Sequence, residues 1–155
     1  IETQDSTTNF FQIGSTTNQN IFRINANGNT GIGTSTPFVK LAVGAGGAIT
    51  TVENALTDAA TVTVDWTQGN QQSVTLGGNR TINFTNYIAG QILRLVVCQD
   101  ATGNRTVTWD GNVLWQGAAA PTLTTTANYC DLVAFVASNA TSTLKIFGSA
   151  ALNFP

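Results

Sequence analysis

The sequence predicts an all-β protein: an antiparallel β-sandwich, jelly-roll-like, carrying an extended N-terminal strand arm. Three observations predict this class. From residue 61 onward, apolar and Thr-rich runs of strand length recur roughly every 8–15 residues. Gly-Asn, Asn-Gly or Asp-Gly pairs punctuate these runs at Asn27-Gly28, Gly69-Asn70, Gly78-Asn79, Gly103-Asn104 and Asp110-Gly111. Such pairs supply the positive φ angles of tight reversals. The third observation is that apolar residues at i, i+3 and i+4 do not persist over any long window.

The strand candidates follow in order. Phe10–Ile13 and Ile21–Ile24 are short apolar runs, followed by Leu41–Val43 and Ala48–Val52. Thr51–Ala60 holds Glu53, Ala55, Leu56 and Ala59, and is the one segment with helical character, a turn or two at most. Thr61–Trp66, Gln72–Leu76 and Arg80–Phe84 alternate apolar and polar, so each buries one face and wets the other. Gln91–Gln99 is apolar on both faces except at Arg94. Arg105–Trp109, Val113–Trp115, Tyr129–Ala137 and Thr143–Ser149 complete the set. Gly78-Asn79-Arg80-Thr81-Ile82-Asn83-Phe84 echoes Gly103-Asn104-Arg105-Thr106-Val107-Thr108-Trp109. The echo predicts two hairpins of equivalent geometry, each with an Arg beside its turn where it reaches a loop carboxylate.

Residues 1–47 differ from the rest. Polar Thr, Ser, Asn and Gln clusters there surround short apolar pairs, and Gly44-Ala45-Gly46-Gly47 reads as a hinge. The expected organisation is an N-terminal arm over 1–47 and a β-sandwich domain over 48–155. The arm must cover Phe10, Phe11, Ile13, Ile21, Phe22 and Ile24 with its own domain or with a neighbouring subunit. Donation of an apolar strand across a flexible tether is one established way to do the latter.

Composition narrows the function. Charged residues are 9% of the 155, and 26 Thr, 16 Asn and 15 Gly stand in their place, against about 25% charged in ordinary soluble domains. Six basic and eight acidic residues, net charge −2, leave no electrostatic footprint for nucleic acid. The absence of His excludes His-based triads and His-ligated zinc. No run approaches the ~18 apolar residues of a membrane span. The chain begins at Ile1, not Met, which a removed leader or a fragment explains. Cys98 and Cys130 are either two buried thiols or one disulfide, and the extracellular character of the composition favours the disulfide. Closing a loop of roughly 33 residues would then add about 3.7 kcal/mol on the chain-entropy account.

Other motifs carry less. The Gly28–Thr34 stretch lacks the Lys of a phosphate loop and the third glycine of a dinucleotide fingerprint. Asp100 and Asp110 sit in loops without the alternating ligand pattern of a calcium loop. The remaining carboxylates are scattered and suggest no glycosidase pair. Trp109 and Trp115 are candidate glycan contacts, with core packing as the plainer reading. No cofactor or metal is expected.

Two segments resemble a known family. Asn27-Gly28-Asn29-Thr30-Gly31-Ile32-Gly33-Thr34-Ser35-Thr36-Pro37 with Lys40-Leu41-Ala42-Val43 resembles a segment widespread in bacteriophage tail fibres and bacterial surface fibres. Val64–Asn70, Val74-Thr75-Leu76, Asn79-Arg80-Thr81, Gly90-Gln91, Gln99-Asp100 and Gly103–Trp109 are similar to a β-domain of phage tail and virion proteins. In phage fibres the first segment often precedes a self-cleaving C-terminal chaperone, and no helical segment of that kind is read here. The resemblance implies a structural or adhesive extracellular role and carries over no active-site residue.

The resulting expectation is an extracellular, non-enzymatic structural subunit, a homo-oligomer or homopolymer. It would assemble into a fibre by strand donation from the arm. The alternative is a phage tail-fibre or receptor-binding module that recognises cell-surface glycans. An enzyme acting on polysaccharide is a third, weaker reading.

Overall fold

The computed structural model describes residues 9–13, 21–44, 52–140 and 143–155. The chain divides into two compact units, Ile1–Thr50 and Thr51–Pro155. The Gly44–Gly47 stretch after Gly44 and the Ala48–Val52 run before Val52 lie outside the described residues, as does the side chain of Phe10.

The first unit is a four-stranded sheet in the order β1 (Asn9–Ile13), β2 (Phe22–Asn25), β3 (Thr30–Ile32), β4 (Leu41–Val43). β1–β2 and β2–β3 are antiparallel, and β3–β4 is parallel. Thus the strands of the expected arm pair with one another. The fibre-like segment is spent on backbone clamps. Asn25 Oδ1 accepts from the amides of Asn27 and Asn29 at 3.0 Å each. Gly28 supplies the positive φ of this turn, +71°. The Asn25 and Asn29 amide groups both donate to the Pro37 carbonyl, at 3.2 and 3.1 Å. Lys40 Nζ donates to the Asn27 carbonyl at 3.1 Å. β3 sits in a Gly-rich stretch, with Gly31 inside it and Gly33 just after it, so its three residues carry little apolar signal.

The second unit is built from two sheets sharing one core. Strands β6 (Thr61–Asp65), β8 (Arg80–Thr85) and β10 (Val107–Trp109) form a three-stranded sheet in the order β10-β8-β6. Strands β5 (Asn54–Ala55), β7 (Gln71–Leu76), β9 (Ile92–Gln99), β11 (Val113–Trp115), β12 (Cys130–Ser138) and β13 (Lys145–Phe154) form a six-stranded sheet in the order β11-β13-β12-β9-β7-β5. From β5 to β11 successive strands alternate between the two sheets. Inward residues from both sheets make the core: Val62, Val64, Ile82 and Phe84 on one side, Leu76, Leu93, Leu95, Val97, Val133 and Phe135 on the other, each at most 5% exposed. At about 1.5–3 kcal/mol per buried large side chain, this cluster dominates the unit's stability. Phe135 is its hub, with ring centroids of Phe84, Trp109, Trp115 and Trp66 between 5.0 and 6.3 Å away.

The all-β class stands, and the antiparallel, jelly-roll pairing is corrected. Every contact within the three-stranded sheet is parallel, as are β5–β7, β7–β9 and β11–β13. Only β9–β12 and β12–β13 are antiparallel in this unit. The physical reason is that each Gly-Asn reversal sends the chain to the opposite sheet. A strand therefore meets its neighbour two elements later, running the same way. The echoed segments are accordingly not two hairpins: they place β8 and β10 side by side in parallel, with Thr81 opposite Thr108. The helical reading of Thr51–Ala60 also fails. Asn54–Ala55 is held as a short edge strand by the Leu56 amide donating to the Ser73 carbonyl at 2.8 Å and by Asn54 Nδ2 donating to Gln72 Oε1 at 3.0 Å.

Candidate functional site

Two guanidinium clamps close one end of the strand pair β8 and β10. Arg80 donates through Nε and Nη2 to the two carboxylate oxygens of Asp58, at 2.7 and 2.5 Å. Arg105 donates through Nη2 to Asp100 at 2.8 Å. The echoed Arg positions thus each tie a loop carboxylate. The fork-on-carboxylate geometry fixes orientation as well as charge. The Arg80 hydrogen bond holds Asp58 below its ordinary value near 3.8, against the raising effect of burial. The Arg105 hydrogen bond does the same for Asp100, helped by the Thr102 and Gly103 amides. Asp65 is also lowered, chiefly by the Asn86 side chain and then by Thr67. Every one of these carboxylates is engaged inside the fold, which is an arrangement for rigidity.

Three buried polar side chains act as substitutes for missing strand partners. Gln99, 4% exposed, accepts from the Arg105 amide at 2.8 Å and donates to its carbonyl at 3.0 Å. Gln72 Nε2 donates to the Asp65 and Gly69 carbonyls at 2.8 and 3.1 Å. Asp131, 2% exposed, accepts from the Thr124 amide and hydroxyl at 2.7 Å each and from the Asn153 amide at 2.9 Å. Sequence reasoning missed all three, because a polar residue on the inward face of a strand breaks the alternation that signals a core. Asp110, a candidate cation ligand, instead accepts from the Phe84 and Asn112 amides. Among the described residues, no three acidic or Cys side chains come together in a way that would hold a metal.

The tryptophan candidates are adjacent. The rings of Trp109 and Trp115 lie 5.1 Å apart, both half-buried against Phe135. The plainer reading, core packing, accounts for Trp109. Trp115 has a second side: with Gln116, Ala119, Pro121, Ser149 and Ala150 it borders a hollow of about 220 Å³. Its indole lies over Gly148, where a Cβ would come within 2.6 Å of the ring. Only glycine admits the aromatic at that point.

Cys98 and Cys130 form a disulfide. The Gln99 amide of β9 donates to the carbonyl of Tyr129, the residue before β12, so the next pair in register, Cys98 and Cys130, is non-hydrogen-bonded. Side chains approach most closely at such pairs, and the two Cα atoms are 4.0 Å apart. Of the expected subunit-contact residues, Phe11 and Phe22 meet edge to face at 5.8 Å. Ile24 is half-buried, while Ile13 and Ile21 are 51% and 45% exposed.

The model of one protein family, described as "Putative phage tail fibre C-terminal domain", matches residues 60–140, just over half of the chain. The matched region runs from the residue before β6 through β12, taking in the Arg105–Asp100 clamp, Arg80 without its partner Asp58, most of the core and the disulfide. No curated protein and no solved structure matches the chain. The chain belongs to the phage tail fibre C-terminal domain family.

Proposed function

We propose that this chain is a structural, virion-associated module of a phage tail fibre that works as a homo-oligomer and not as a catalyst. The observation that carries the reading is the family match over residues 60–140, which falls on the cross-braced second unit. A tail-fibre domain is a structural kind of protein, and the internal use of Asp58, Asp100 and Asp131 suits one. The first unit supports assembly. Among its described residues only Gly31, Pro37 and Ala42 are buried. Phe38 is 87% exposed, and Ile13, Ile21, Ile32, Val39 and Leu41 are each 45–51% exposed. So small a core supplies too little burial to offset chain entropy, and further copies of the chain would supply the rest. Because β1 is already paired with β2, this reading assigns assembly to faces of the folded units and not to a donated strand.

Sedimentation equilibrium of the full chain tests it. A discrete oligomer of the 16.2 kDa chain is the expected result, and a monomer at every concentration up to about 100 μM would contradict it. A second reading, glycan adhesion, is favoured by one observation, the Trp115 hollow with Gln116 and Ser149 on its rim. An indole face beside polar side chains suits the apolar face and hydroxyl groups of a sugar. Saccharides extracted from the host surface should quench tryptophan fluorescence in the native chain and not in Trp115→Phe.

A further inference from the structure

The two outer faces of the second unit differ in a way that a free-standing module does not require. The outer face of the three-stranded sheet is polar: Thr61, Thr63, Thr81, Asn83, Thr106 and Thr108 are all exposed. That is the ordinary finish of a sheet with one face in water. The outer face of the six-stranded sheet has the opposite character. Strand register aligns Leu114 of β11, Phe147 of β13, Val136 of β12 and Ile92 of β9 in one continuous cross-strand row. These side chains are 38%, 42%, 46% and 62% exposed. The next row along the strands is small or polar, Ser149, Ala134, Arg94 and Gln71, and the row after it is apolar again at Leu132 and Val96.

We infer that this face is the contact through which copies of the chain associate. The inference rests on the homo-oligomeric reading above and names the surface that serves it. Three observations select a second copy as the occupant. The first is area. At roughly 150–200 Å² per large side chain, the exposed row together with Phe154, 47% exposed, presents on the order of 400 Å² of apolar surface. That is about half of the ~800 Å² that each partner gives to a stable interface, and the flanking backbone and small residues can supply the remainder. The second is shape. Beside the raised row lies a hollow of about 430 Å³ between Arg94, Val96, Leu132, Phe154 and the cystine. Ridge and hollow on a single face are what a contact between identical surfaces needs. The third is charge. Arg94 is the one charged side chain in these rows. It is exposed, with a stem long enough to carry its guanidinium to the rim. Identical copies therefore meet there without an array of like charges.

The test uses the full chain and four variants. Ile92→Asp with Val136→Asp places carboxylates on two adjacent positions of the row. Thr63→Asp with Thr81→Asp does the same on the polar face as a control. Sedimentation velocity should show the native oligomer and the control pair at the same mass. The Ile92→Asp/Val136→Asp chain should lose the oligomer, with its far-ultraviolet circular dichroism retained. Ser149→Cys and Thr81→Cys guard against a folding defect. Under mild oxidation Ser149→Cys should give a disulfide-linked dimer on a non-reducing gel, and Thr81→Cys should not. If the oligomer survives the row variants and Ser149→Cys does not cross-link, this face is not the interface, while the fibre reading stands. A native chain that is monomeric throughout would overturn both.

Discussion

Replacing Asp131 with Ala removes the buried carboxylate that braces the start of β12 and the end of β13. Asp131 is 2% exposed and accepts three hydrogen bonds of 2.7–2.9 Å, two from Thr124 and one from Asn153. It thereby ties β12 to the segment before it and to the end of β13. Each bond contributes about 1 kcal/mol net, and a donor left buried without a partner costs about 1–3 kcal/mol more. Asn153 is exposed, so its amide regains water; Thr124 is half-buried, so its amide regains less. The sum is about 2–4 kcal/mol, a large share of a total that is typically about 5–15 kcal/mol. For a unit of this size the fall in Tm is about 10–25 °C. Asp131→Asn should cost less than Ala but more than 1 kcal/mol, since its new NH2 group must face one of the three donors while its oxygen serves the others. Urea and thermal unfolding, followed by circular dichroism with the disulfide oxidised, measure both. An Ala variant within about 0.5 kcal/mol of the native chain would refute the claim that this carboxylate holds the strand ends together.

Three further outcomes follow from the same geometry. Reducing Cys98–Cys130, or replacing both with Ala, should lower stability by about 3.7 kcal/mol for a loop of roughly 33 residues; a change below 1 kcal/mol would show that strand pairing alone fixes the register. Asp58 and Asp100 are held below their ordinary value near 3.8 by Arg80 and Arg105. Their contribution is therefore complete above that value and lost as pH falls through the depressed folded values, so the urea midpoint should drop steeply below about pH 4 and Asp58→Asn/Asp100→Asn should flatten the drop. Gly148→Ala would push a methyl to within 2.6 Å of the Trp115 ring, costing about 1–3 kcal/mol by overpacking. It should also shift the tryptophan emission; an unchanged spectrum and midpoint would contradict the close approach.

The strands of the second unit were largely legible because Thr and Val alternate so cleanly. Thr61–Asp65 and Arg80–Thr85 carry their inward residues at every second position. Their partners were not legible. Gly78-Asn79 announces a reversal whether the chain returns to the same sheet or crosses to the other, and the direction depends on core packing across the whole unit. Arg80 and Arg105 were readable as turn clamps from the echo, but Asp58 lies 22 residues from its Arg and no local signal links them. The short strands Thr30–Ile32 and Asn54–Ala55 went unread because each is made by its neighbour, β2 or β7, and not by its own propensity. Cys98 and Cys130 were the easier case: both sit in long apolar runs that become adjacent antiparallel strands. The apolar outer row was hidden in the same runs. Ile92 and Val136 lie in runs that are apolar on both faces, and only the register shows which of the two faces remains open.

Immunogold electron microscopy of the phage particle, with antibodies raised against the folded full chain, tests most directly the claim that the chain is part of the tail fibre. Gold should lie on the tail fibres and be absent from heads and tail tubes, and the label should be lost when the antibody is first absorbed with the purified chain. Particles that carry no label on their fibres, in preparations where the chain is detected only in the unassembled fraction, would contradict it.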